Sequence, residues 1–249
     1  MLQRTFMHIQ GIGEKTEKRI WSKGIATWQD FLDWPGPVFS PGRDRLIRAA
    51  LEESLLHLDD PAYFKKLLPS NQSWRMYRRF KGKTAFLDIE TSGLDQDMHE
   101  ITVIGVYDGQ KVFSYVNGFN LPDFEIDIAE YDMVITFNGA MFDLPFIRRS
   151  FPSITLPEGH IDLMHALRKL GYRGGLKKIE KDLGISRGED IDGLGGYEAV
   201  LLWRAWQNGD KAALDRLIAY NTADIVNLKP LMELAYDRLS SQALAPDAL

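Results

Sequence analysis

Apolar residues recur along this chain at two different spacings, and the change comes after Lys83. Before it, Ile20, Trp21, Ile25, Trp28, Phe31 and Leu32 follow helical intervals broken by glycines and by a Pro35-Gly36-Pro37 turn. That pattern predicts short helices over residues 1–60. After it come short apolar runs, Thr84–Ile89 (TAFLDI), Ile101–Tyr107 (ITVIGVY) and Lys111–Val116 (KVFSYV), which predict three β-strands. Asp108-Gly109 between the second and third is a two-residue hairpin signal, so those strands should pair antiparallel. Met133–Phe137 (MVITF) predicts a fourth strand leading into a helix around Phe142–Ser150. Beyond Asp162 the pattern is mostly helical, with breaks at Gly171, Gly174-Gly175, Gly184 and residues 193–196. A meander followed by alternating helices and strands implies an α/β fold, a mixed sheet covered by helices, with a small helical domain before it. The expected division is a helical module over 1–60, a connector over 61–83, the sheet domain over 84–240, and a small polar tail over 241–249 that frays.

Composition narrows the chemistry. Of 249 residues, 45% are hydrophobic and 26% charged, the balance of a folded protein with a buried core. There is no cysteine, which excludes disulfides, thiolate metal sites and cysteine nucleophiles, so any metal must sit on oxygen or imidazole. The first residues lack the apolar run of a signal peptide and no stretch of about 18 apolar residues follows, so a cytoplasmic protein without a membrane partner is expected. The net charge of -5 hides an asymmetry: residues 1–83 carry 15 Lys+Arg against 9 Asp+Glu, and the rest carry 15 against 26. A basic module beside an acidic one suits a grip on a polyanion next to a seat for cations, although chance partitioning of surface charge gives the same counts. The basic and aromatic residues of 61–83, among them Lys65, Lys66, Trp74, Arg75, Tyr77 and Arg78, fit either base stacking with phosphate pairing or a snorkelling helix face.

Three clusters carry candidate chemistry. In Leu87-Asp88-Ile89-Glu90-Thr91 two carboxylates stand two residues apart, on one side of a strand whose Leu87 and Ile89 face the other way. Such a pair repels itself, and an oxygen-preferring cation such as Mg²⁺ or Mn²⁺ would offset the repulsion. A strand end running into solvent is the plainer alternative. Asp143, in Phe137-Asn138-Gly139-Ala140-Met141-Phe142-Asp143, is either a ligand or a cap of the helix that follows, and Asn138 either makes a tight turn or contacts substrate. In Tyr220-Asn221-Thr222-Ala223-Asp224 a spacing of four puts Tyr220 and Asp224 on one helix face, where a tyrosine hydroxyl beside a carboxylate can orient or deprotonate a water.

FLDIETSGL, FNGAMFDLPF and YNTAD, in that order, resemble the three motifs of the DnaQ-type DEDD exonuclease superfamily of ribonuclease H-like fold, in the branch whose last motif carries tyrosine. Within it the chain is similar to the bacterial YprB-like group, with kinship to the proofreading domains of family B DNA polymerases. The resemblance spans about residues 84–236 and implies Asp88, Glu90, Asp143 and Asp224 as metal-binding acids, with Tyr220 as a fifth catalytic residue. It implies two Mg²⁺ or Mn²⁺ ions, with Asp88 shared between them, Glu90 and Asp224 on the nucleophile side, and Asp143 holding the other ion through water. The activity implied is hydrolysis of phosphodiester bonds in DNA or RNA from a free 3′ end, with DNA favoured.

Beyond these motifs, Ile9-Gln10-Gly11-Ile12-Gly13 followed by Lys15, Lys18 and Arg19 resembles a helix-hairpin-helix element, which implies that Gly11 and Gly13 bring backbone N–H groups to a DNA phosphate. A small helical domain that only packs on the core reads the same way. Lys177 lies in a lysine-rich stretch that either tracks a phosphate backbone or forms a solvated face. His160 is expected to pack rather than ligate, and Asp162 to cap a helix. Two other functions stay open: a structure-selective endonuclease with the same acids, and a nucleic-acid binding module without catalysis.

Overall fold

The computed structural model describes residues 1–188 and 193–245. Its N-terminal helices begin where the sequence supplies caps. Thr27 and Asp30 close a reciprocal capping box at the start of α2 (Trp28–Asp33), and Asp60 accepts the N–H groups of Ala62 and Tyr63 at the start of α4 (Pro61–Leu67). With α1 (Glu14–Trp21) and α3 (Pro41–Leu56) they bury Ile20, Trp28, Phe31, Leu51 and Phe64. The segment 61–83, expected as a connector, is built from α4 and short helical turns. It winds through 3₁₀ turns at Ser70–Met76 and through α5 (Tyr77–Phe80), and its Trp74, Met76, Tyr77 and Phe80 are buried. These residues belong to one apolar cluster that runs from Leu2 to Leu239, because their large surfaces bury against helices of the C-terminal half.

A five-stranded sheet follows, in the order β3-β2-β1-β4-β5. It comprises β1 (Thr84–Thr91), β2 (Ile101–Tyr107), β3 (Val112–Val116), β4 (Met133–Thr136) and β5 (Gly159–Asp162). The first three strands pair antiparallel, while β1 with β4 and β4 with β5 pair parallel. This is the mixed sheet of a ribonuclease H-like fold. The hairpin differs from expectation in length, since Tyr107 pairs with Val112 across the loop 108–111. Asp108 stabilises that wider loop by accepting the N–H groups of Gln110 and Lys111. The fifth strand was not expected. Gly159-His160-Ile161-Asp162 is too short to show a period, and its strand character comes from lying beside β4.

Helices cover both faces. Leu87 and Ile89 of β1 pack with Val134, Leu144, Phe146 and Ile147, the last three from α7 (Asp143–Ser150). The opposite face, which carries Phe86, Asp88 and Glu90, lies under the long helix α11 (Lys211–Leu244). Between them the chain forms α6 (Phe124–Asp127), α8 (Leu163–Lys169), α9 (Leu176–Asp182) and α10 (Gly196–Gln207). The first half of α11 lies on β1 and β2, while Leu231, Met232, Tyr236 and Leu239 join the cluster that holds the N-terminal helices. Pro230 sits inside this helix and removes one of its backbone hydrogen bonds. Residues 241–244 continue the helix to its cap at Ala245, and 246–249, the last of the expected tail, lie outside the described residues. Among the described residues no helix is long and apolar enough to cross a membrane.

Because one apolar cluster joins both ends of the chain, cutting a hole in it should destabilise the whole. Trp74 is 1% exposed and meets the Tyr236 ring edge-on at 5.8 Å. Trp74→Ala should lower unfolding stability by about 3–5 kcal/mol in urea titrations. Far-UV and tryptophan signals should move together, and two separated transitions would show that the halves unfold independently.

Candidate active site

Asp88 and Glu90 lie on the central strand of the sheet, not on an edge, with backbone fixed by β2 (Asp88 opposite Gly105, Glu90 opposite Val103). A side chain at position 105 would collide with the α11 residue Asn221, whose Oδ1 lies 2.0 Å from where a Cβ would stand. Glycine there lets Asn221 reach across and donate to Asp88, at 3.1 Å to Oδ2 and 3.3 Å to its carbonyl oxygen. The same helix brings Tyr220 and Asp224 to this face, both buried. Asp88, Glu90 and Asp224 each offer a carboxylate oxygen, and these oxygens lie within 4.8 Å of one another.

Asp143 comes from the opposite side of β1. It does not cap α7, which has no side-chain cap, and instead its Oδ1 accepts the Ile89 N–H at 3.1 Å. That N–H is open because the pairing of β4 with β1 ends at Phe86. The turn that delivers Asp143 is held by Asp162. Its carboxylate accepts from Asn138 N–H at 2.8 Å and Ala140 N–H at 3.3 Å, besides capping α8 through Met164 N–H at 3.1 Å. Asn138 adopts a left-handed backbone (φ 63°), a conformation asparagine tolerates better than most residues. His160 packs as expected, with Nε2 2.9 Å from the Thr136 hydroxyl.

A cleft of about 210 Å³ is lined by Asp88, Glu90, Asp143, Tyr220 and Asp224, together with Asn138, Leu94 and Phe142. Lys177 reaches the same centre from α9. Its ammonium donates to the Tyr220 phenol and to the Leu194 carbonyl and stands 4.1 Å from the Tyr220 ring centroid. The structure therefore places Lys177 against a tyrosine of the cleft rather than along a solvated helix face. Gly11, Gly13, Lys15, Lys18 and Arg19 do not line this cleft. Lys15, Lys18 and Arg19 border a separate one beside α1, and Gly11 takes a left-handed backbone (φ 80°) in the turn before that helix.

Burial and mutual repulsion disfavour the charged form of these acids. Burial, then repulsion from Asp224, Asp143 and Glu90, raises Asp88 well above the ordinary carboxylate range. Burial and Asp224 do the same to Glu90, and burial pushes Asp143 up to about 7. Asp224 is raised by burial too, with the Arg187 guanidinium opposing. Burial and the Asp224 charge raise the Tyr220 phenol, which stays protonated, and burial lowers Lys177. Oxygen donors of one sign gathered in this way, half-buried at Asp88 and buried at Glu90, Asp143 and Asp224, fit divalent cations of the Mg²⁺ or Mn²⁺ kind.

Arg187, Glu180 and Asn221 carry no local sequence signal of the kind that marked the acids. Arg187 donates to Asp224 and pairs with Glu180, with the two carboxylates and the guanidinium all buried. Asn221 sits inside YNTAD, and the only sign of its role is the glycine in ITVIGVY that makes room for it.

The sequence pattern of the RNase_H superfamily matches residues 85–236. No curated protein matches the chain. Among solved structures, the chain is similar to the family B DNA polymerase of the hyperthermophilic archaeon Pyrobaculum calidifontis, at 15% identity and a TM-score of 0.48, over 66% of this chain and 27% of that one. It is similar to NrnC of Brucella melitensis at 21% identity and a TM-score of 0.46, over 68% of this chain and 81% of that one. The same protein with bound Mg²⁺ matches over the same shares at 22% identity and a TM-score of 0.46.

The raised acids set a pH dependence. A carboxyl raised in the folded state binds its proton more tightly there than in the unfolded chain, so its contribution is present below about pH 4 and is lost as pH rises through about 7. His8 and His160, pushed down to about 4 by burial, act in the opposite sense between about 4 and 6.5. Comparing the parent with Asp143→Asn isolates the carboxyl. Without metal, the variant should match the parent near pH 4 and melt several degrees higher near pH 8 in differential scanning calorimetry, by about the cost of holding a buried charge. A constant difference across the range would contradict the raised Asp143.

Proposed function

The chain belongs to the RNase_H superfamily, and from that premise we propose that it is a metal-dependent nuclease that hydrolyses nucleic acid from the 3′ end, with DNA favoured over RNA. The observation that carries this reading is the triad of Asp88, Glu90 and Asp224 oxygens within 4.8 Å, with Asp143 lining the same cleft. In this reading Asp88, Glu90 and Asp224 would hold one divalent cation, and Asp143 would help to hold a second. When bound, the cations supply positive charge that activates a water and offsets charge on the leaving oxygen.

The chain's own residues supply orientation. Burial and the Asp224 charge raise the Tyr220 phenol, and its hydroxyl, beside the acids of the cleft, is placed to orient the attacking water. Lys177 donates to the phenol oxygen, which leaves the phenolic proton directed elsewhere, and its charge favours a phosphate at the cleft. Asn138, pinned by Asp162, lines the cleft where the terminal nucleotide would lie. The turn at Gly11 and Gly13, with Lys15, Lys18 and Arg19 after it, supplies sequence-independent affinity for the rest of the strand.

End-labelled single- and double-stranded DNA and RNA, incubated with Mg²⁺ or Mn²⁺, test this directly. A 3′-end reader produces a stepwise ladder from the 3′ side that chelator abolishes and Asp88→Ala eliminates, while the variant stays folded. Internal fragments would make the chain an endonuclease, and binding without products would make it a non-catalytic module.

Tyr220→Phe removes the hydroxyl but keeps the ring against Lys177. Single-turnover cleavage should fall by about 10² to 10⁴ if the hydroxyl orients the water. Substrate affinity, titrated in Ca²⁺, should change little. Equal losses in rate and affinity would make Tyr220 a packing residue for substrate.

A further inference from the structure

We propose that Glu180 and Arg187 form a positioning pair for Asp224, in which Arg187 fixes the orientation of the Asp224 carboxylate while Glu180 holds back the Arg187 charge, so that a cation can still bind there. This rests on the reading of Asp224 as a metal ligand.

The pair is built in detail. Arg187 meets Glu180 through two bonds, Nε to Oε2 at 2.7 Å and Nη2 to Oε1 at 2.9 Å, with side chains 5% and 2% exposed. The same Nη2 also donates to Asp224 Oδ1. Asn227 closes the arrangement by donating to Glu180 Oε1 at 3.0 Å. Asp224 and Asn227 stand three apart on α11, so one face of that helix holds both ends of the network. Arg187 and Glu180 are not among the residues that line the cleft between the acids, but line a different cavity with Lys178 and Lys181. The guanidinium therefore reaches Asp224 from outside the cleft. Asp224 nonetheless keeps an oxygen within 4.8 Å of Asp88 and Glu90.

Charge accounts for the presence of Glu180. A buried guanidinium with Asp224 as its sole acidic partner would neutralise that carboxylate and compete with a cation for it. Bound in a fork to Glu180, Arg187 forms a unit of zero net charge that still has one N–H for Asp224. Asp224 then gains a fixed rotamer and keeps its negative charge. A lysine has no planar fork and would lose the paired bonds that orient Arg187 against Glu180.

The test combines calorimetric Mn²⁺ titration of the full chain with cleavage of end-labelled DNA. Glu180→Gln frees the Arg187 charge onto Asp224, so the Mn²⁺ dissociation constant should rise about tenfold, and cleavage lost at low Mn²⁺ should recover as Mn²⁺ is raised. Arg187→Gln frees Asp224 to turn, so cleavage at saturating Mn²⁺ should fall about 10- to 100-fold without weaker Mn²⁺ binding, and Arg187→Lys should not restore it. A merely structural role would move both variants the same way, along with the melting temperature. The double variant Glu180→Gln/Arg187→Gln leaves neither charge alone in the interior, and it should bind Mn²⁺ like the parent and cleave slowly, which decides the matter if a single variant does not fold. Unchanged Mn²⁺ affinity in Glu180→Gln, or parental cleavage by Arg187→Gln or by the double variant, overturns the pair. A parent that binds Mn²⁺ but cleaves nothing overturns the nuclease reading alone, since the Glu180→Gln titration still decides the pair. A parent that binds no Mn²⁺ overturns both.

Discussion

Negative charge held together against its own repulsion is the constraint around which this molecule is arranged. Asp88, Glu90 and Asp224 bring oxygens within 4.8 Å, in surroundings where burial already disfavours an ionised carboxylate. Neither a strand nor a helix gains from such proximity on its own account, because the Coulomb cost grows as water is excluded. The neighbouring groups answer that cost one acid at a time. Asn221 donates to Asp88, the Ile89 N–H donates to Asp143, and Arg187 donates to Asp224. The acids also stand on the parts of the fold least free to relax, the middle strand of the sheet and the helix laid across it.

Much of this was legible in the sequence wherever a local rule applied. Alternation along TAFLDIET placed Leu87 and Ile89 in the core and turned Asp88 and Glu90 the other way, and the spacing of Tyr220 and Asp224 put both on one helix face. Asp143 was open between ligand and cap, and the structure gives its carboxylate to a strand 54 residues earlier, which no helix-start rule could show. Arg187 illustrates the limit more sharply. It lies 37 residues before Asp224, in a stretch without periodicity, and only the folding of α9 against α11 brings the two together. The fifth strand and the segment 61–83 escaped for a related reason: both owe their structure to the neighbours they bury against, β4 for the one and the end of α11 for the other.

Asp162 shows how a residue with an ordinary local role is drawn into the site. Its cap on α8 is what the sequence leads one to expect, yet the same carboxylate holds the left-handed turn at Asn138 that leads into Asp143. A substitution that kept the cap and lost the second set of bonds would leave the secondary structure intact and the cleft altered.

The long helix α11 belongs to two neighbourhoods at once. Its early turns present Tyr220, Asn221 and Asp224 to the acids, and its later turns, past Pro230, bury Leu231, Tyr236 and Leu239 against residues from the start of the chain. Local fraying is the usual route by which amides near a binding cleft exchange with solvent, but here such an opening would have to lift a rod pinned at both ends. In the terms of hydrogen exchange, the amides of Tyr220 to Asp224 should fall in the slowly exchanging class, because the helix that carries them is buried on both sides of Pro230.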